Sequence, residues 1–93
     1  MVVINREKLV DIYNSILNGE LSYPNADRWA WKMMENYDNN ELIFEPNEEE
    51  PLLWELIQYL YGIDMPSMSD RTKTARTNED IKYFLKEIDF EIE

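Results

Sequence analysis

The chain has no cysteine, no histidine and only two glycines in 93 residues. Without cysteine there is neither a disulfide framework nor a thiolate metal site. The absence of histidine removes the commonest general base and, with it, most zinc sites. Two isolated glycines cannot form a Gly-rich phosphate cradle. No apolar run approaches the roughly 20 residues that span a bilayer, and Met1 to Ile4 is followed at once by charge, unlike a signal peptide. The protein is therefore expected to stay where it is made, in the cytoplasm. Carboxylates are the catalytic groups that remain in number. With 20 acids among 93 residues, pairs spaced for glycoside hydrolysis or magnesium binding arise by chance. No enzymatic activity, cofactor or metal is expected.

Basic residues are also scarce. Lys and Arg number 9 against 20 acids, giving a formal charge of −11. A field of that sign repels nucleic acid and anionic membrane, costs some stability through self-repulsion, and attracts basic partners. Three of the few bases, Arg71, Lys73 and Arg76, are gathered between Ser67 and Arg76, facing only Asp70. With no aromatic interleaved among them, they read as a flexible loop pairing with the acidic surface and not as a phosphate or nucleic-acid hook.

What is present is enough for a core: 44% hydrophobic and 13% aromatic residues argue against disorder, and 93 residues make a single domain spanning 1–93. Its organising element is Pro51 to Tyr61, PLLWELIQYLY, in which only Glu55 and Gln58 are polar. At about 100° per residue, Leu52, Leu53, Leu56, Ile57 and Leu60 share one broad face, with Trp54, Ile57 and Tyr61 beside it. A helix apolar over most of its circumference must be packed on two sides.

The other elements follow from caps and periodicity. Asn5 reads as an N-cap, with Ile4 stapling to Leu9, and Leu9, Ile12, Tyr13, Ile16 and Leu17 recur at helical spacing up to the Asn18-Gly19 stop. This gives a helix over about 6–18. Ser22 caps a second helix, with Pro24 in its first turn and Ala26, Trp29, Ala30, Met33, Met34 and Tyr37 on one face. Asp27, Arg28, Lys32 and Glu35 point elsewhere. Thr77 to Asp80 forms a capping box before Ile81, Phe84, Leu85 and Ile88, predicting a last helix over about 78–87. The tail from Glu87 to Glu93 alternates acid and apolar with a period of two, the signature of a strand that would pair with 2–4 or with 42–44. The expected fold is mainly α, a compact bundle of about four helices around a central helix at about 51–61, with short strands at 2–4, 42–45 and 88–92 as an open addition.

Two features stand out as contact candidates. DNNELIFEPNEEE, from Asp38 to Glu50, carries six acids and no base around a Leu42-Ile43-Phe44 island. It fails as a calcium loop, because Leu42 and Ile43 fall where an oxygen ligand and a glycine are required. A structural reading of Glu48, Glu49 and Glu50 is dipole complementation, with Asn47 capping the central helix and the acids in its first turn. Trp31 falls roughly 130° from the centre of its helix's apolar face, either partly exposed or covered by a loop, and is read as a packing residue or an apolar anchor for a partner.

The succession Ser22, Trp29-Ala30, Leu53-Trp54, Leu60-x-Gly62-x-Asp64, Glu79-Asp80-Ile81 and Phe84-Leu85 resembles small acidic bacterial proteins that serve as immunity partners in contact-dependent-inhibition and other polymorphic toxin systems. The resemblance spans about residues 22–85. The chain departs from that pattern between the Gly-x-Asp turn and the last helix, where it reads DRTKTART in place of a shorter stretch with a Tyr-Leu pair. The resemblance implies a protein that binds and neutralises a cognate toxin domain with a basic surface, often a nuclease cleft, and touches neither nucleic acid nor membrane. On that reading the contact set is Glu41, Glu45, Glu48, Glu49 and Glu50, with Trp31 as apolar anchor and the acidic tail second. The alternatives are a phage-type nucleic-acid mimic or inhibitor of a defence nuclease, and a regulatory adaptor presenting aromatics to a partner helix. A further alternative is that the acids only keep a small helical protein soluble.

Overall fold

The first strand and first helix are joined without a break: β1 runs Val2–Asn5 and α1 Arg6–Leu17. The hinge is Asn5, whose backbone is extended and whose side-chain oxygen accepts the Lys8 N–H at 2.8 Å, satisfying one of the amides a helix start leaves unpaired. At the other end Gly19 takes φ +80°, a left-handed turn that suits glycine, and the Glu20 and Leu21 amides both return to the Ser15 carbonyl. The structure is a computed structural model and describes residues 2–66 and 76–92.

Ser22 caps α2, Tyr23–Asp38, by accepting the Asn25 N–H at 3.3 Å, with Pro24 in the first turn. Asn40 then turns left-handed at φ 60°, and the chain enters β2, Leu42–Glu45. The two strands pair in parallel, Val2 with Leu42, Val3 with Ile43, Ile4 with Phe44 and Asn5 with Glu45, and the Val2 amide donates to the Glu41 carbonyl at 2.8 Å. A parallel pair needs a long crossover, which the α1–α2 hairpin supplies. Strand alternation turns Ile4 and Phe44 into the core and leaves Val3 and Ile43 outside.

The central helix α3 spans Glu50–Leu60 and α4 spans Asn78–Glu87. Leu53, Leu56, Ile57 and Leu60 are fully buried, and α3 packs against α1, α2 and β2. Asn47 is not its cap. Asn47–Glu49 forms a separate 3₁₀ turn, Glu49 precedes the helix without a side-chain cap bond, and only Glu50 lies in the first turn of α3. The dipole reading therefore applies to Glu50 alone of the three acids. The chain leaves α3 through Tyr61 and Gly62, the latter again at φ +80°.

Polar ties fix the helices around α3. The Tyr13 hydroxyl, fully buried, donates to the Leu56 carbonyl at 2.7 Å. Asp27, placed by periodicity on the outer side of α2, is half-buried and accepts the Gly62 N–H at 2.6 Å. The Tyr23 hydroxyl donates to Asn78 at 2.6 Å, at the start of α4. Thr77 and Asp80 make the expected capping box, and Tyr59 of α3 stacks on Phe84 of α4 with centroids 3.8 Å apart and planes 7° from parallel. The core is thus continuous from Ile4 to Phe90.

The strand left open at 88–92 does not form. Asp89 adopts φ 58° and the Phe90 amide returns to the Leu85 carbonyl at 2.9 Å, closing α4 with a left-handed turn. Beyond it Asn14 of α1 donates to the Ile92 carbonyl at 2.6 Å. The tail alternates because it lies along α1, burying Phe90 and half-burying Ile88 and Ile92 while Asp89 and Glu91 face water. A period of two reports one buried side, and here that side meets a helix.

The buried Tyr13 gives a pH signature. Burial pushes its hydroxyl well above the usual tyrosine range, with the nearby Tyr59 adding to the shift. Above pH about 10 the unfolded chain loses this proton while the folded chain keeps it. Stability accordingly falls as pH rises, by up to about 1.4 kcal/mol per pH unit from this group. Tyr13→Phe should lower stability by about 1 kcal/mol at neutral pH through the lost hydrogen bond, seen as a lower urea midpoint at unchanged slope, and should flatten the alkaline decline.

Candidate protein-interaction surface

The segment from Glu41 to Glu50 is held at both ends. Its entry is fixed by the Glu41 amide on the Asn36 carbonyl and by the Glu41 carbonyl on the Val2 amide, each 2.8 Å. Its exit is fixed by an aromatic cluster in which Tyr37 stacks on Trp54 (4.2 Å, 24°) and Phe44 meets Trp54 edge-on (6.2 Å, 83°). The short strand left open at 42–45 is present as β2, and the segment continues into a 3₁₀ turn, so it has a defined surface.

The five glutamates divide into two groups on that surface. Glu49 is bonded to Arg6 at 2.7 Å, and the same guanidinium lies 5.0 Å from the centre of the Phe90 ring. One arginine thereby joins the start of α1, the 3₁₀ turn and the tail. Glu50 is reached by the Tyr37 hydroxyl at 3.4 Å. These two acids serve the fold. Glu41, Glu45 and Glu48 are exposed, and among the described residues no cation pairs with them. They are the uncompensated acids of the segment.

Trp31 stands apart. It is 53% exposed on α2, and no ring contact joins it to the acidic segment among the described residues. Tyr37, six residues further along the same helix, is the aromatic that meets those acids, and six residues turn the helix through roughly 240° relative to Trp31. Reading Tyr37 only as a core residue missed this; its place at the last turn of α2, just before the acidic run, was the available signal. Val3 and Ile43 were also missed, since strands of four residues show their outward face only once their register is known.

The remaining charged groups are distributed elsewhere. Arg71 and Lys73, like Glu93, lie outside the described residues. Arg76 lies over the Tyr59 ring at 4.4 Å and donates to the Tyr59 carbonyl at 3.3 Å, extending the Tyr59–Phe84 stack. Burial raises the Tyr59 hydroxyl above its usual range, and Arg76 partly offsets the rise. A recess of about 690 Å³ between the end of α1 and the α4–tail turn is lined by Lys82 and Lys86 together with Asp89 and Glu91, a balance of charge that selects neither sign of ligand. Among the described residues no group of carboxylates is arranged to hold a metal ion, and no helix is long and apolar enough to cross a membrane.

Compared with known proteins, the chain matches no family model, no curated protein and no solved structure. Its function is therefore argued from the surface just described.

The exposure of Trp31 is directly measurable. Trp31→Phe should remove most of the iodide-quenchable tryptophan fluorescence while changing stability by no more than about 0.5 kcal/mol. Trp54→Phe should leave that component in place.

Proposed function

We propose that the chain is an immunity protein, which binds a cognate toxin domain carrying a basic cleft, of the kind a nuclease uses for its substrate, and neutralises it in the cytoplasm by occupying that cleft. It acts by binding and performs no catalysis of its own. The observation that supports this reading is the three exposed acids Glu41, Glu45 and Glu48, unpaired among the described residues, on a chain of net charge −11. Such a field speeds encounter with a basic surface and opposes acidic competitors. The sequence resemblance to immunity proteins of polymorphic toxin systems points the same way.

Co-expression with the product of the neighbouring upstream gene tests the reading. A stoichiometric complex that survives moderate salt and restores the growth of cells poisoned by that product is the expected result. Absence of toxicity, or of any complex, would overturn it. Within such a complex, replacing Glu41, Glu45 and Glu48 together by lysine should slow association at low salt by about tenfold or more and flatten its dependence on ionic strength. Glu49 is left intact in this variant because its loss would unpair Arg6.

A further inference from the structure

We infer that the outward face of the β1–β2 sheet is the docking surface, and that its occupant is an extended basic segment of a partner protein with an apolar side chain between two lysines or arginines; this rests on the binding reading above. The parallel register sets Val3 beside Ile43, 45% and 42% exposed, at the centre of that face. Side chains two apart in a strand share a face, so Ile43 and Glu45 share it within β2, with Asn5 opposite Glu45; Glu41, exposed just before β2 with its carbonyl on the Val2 amide, continues the row. The face thus has an apolar middle and an acid at each end, the acids about 13 Å apart along the strand direction. A solvated sheet face is ordinarily polar throughout. Here two β-branched apolar side chains stand together in water, between carboxylates with no cation on them among the described residues.

Charge decides the occupant. A second copy of the chain would bring glutamate against glutamate between two bodies of charge −11, whereas a strand of pattern Lys-x-apolar-x-Lys has the same spacing of two and places its cations over Glu41 and Glu45. Trp31 belongs to α2 and not to either strand, and is not part of the sheet face.

The test uses two synthetic probes, the peptide KTVTKTVTK and the charge-matched control KTTTKTTTK, titrated into the ¹⁵N-labelled chain. The valine peptide should bind about tenfold tighter than the control and should shift the amides of residues 2–5 and 41–45. The variant carrying Val3→Thr and Ile43→Thr, both exposed positions given a strand-compatible residue, should keep its urea midpoint and lose the difference between the peptides. Equal affinity of the two peptides, or shifts centred around Trp31, would overturn the inference. So would a dimer of the free chain that disappears on Ile43→Thr, which would assign the face to a second copy. Rescue of growth with peptide binding elsewhere overturns this inference alone; sheet-mapped binding without a toxic neighbour overturns the immunity reading alone.

Discussion

The burial of α3 is the constraint from which the rest of the architecture follows. With Leu53, Leu56, Ile57 and Leu60 at zero exposure, one face and both flanks of the helix are covered, among the described residues chiefly by α1, α2, β2 and α4. The three helices are each anchored by a polar bond or a stack as well as by apolar contact: Tyr13 on the Leu56 carbonyl, Asp27 on the Gly62 amide, Phe84 on Tyr59. Apolar burial is non-directional, so these ties choose among the many ways of wrapping a greasy helix. No buried side-chain donor or acceptor among the described residues is left without a partner.

Helix boundaries were legible because caps are chemical and local. Asn5, Ser22, the Thr77–Asp80 box and the two glycines each act within a few residues of where they are written. Where reading failed, the deciding partner was distant. The tail's alternation left a strand open, but its neighbour is α1, brought there by the Asp89 turn and the Asn14 bond. Asn47 had the chemistry of a cap, yet it opens a 3₁₀ turn instead. Asp27 falls off the apolar face of its helix, and nothing local reveals that Gly62 will come to it.

The surface was legible in part. Composition located the acidic segment but could not separate Glu49 and Glu50, which the fold employs, from Glu41, Glu45 and Glu48, which it leaves exposed. That distinction depends on Arg6, 43 residues from Glu49, and on Tyr37, which the turn after α2 brings back to Glu50. The exposure of Trp31 agreed with its angle on the helix.

The parallel pairing of Val2 with Leu42 has a kinetic consequence. Strands separated by two helices cannot meet until the intervening chain has closed its loop, so the ladder belongs to the late, non-local part of folding. A ladder of only two strands is also marginal by itself and depends on the packing of Ile4 and Phe44 beneath it. The juxtaposition of Val3 with Ile43 therefore exists only in chains that have completed the fold. Any molecule that recognises it distinguishes finished from unfinished copies and, by mass action, draws the equilibrium toward the finished ones.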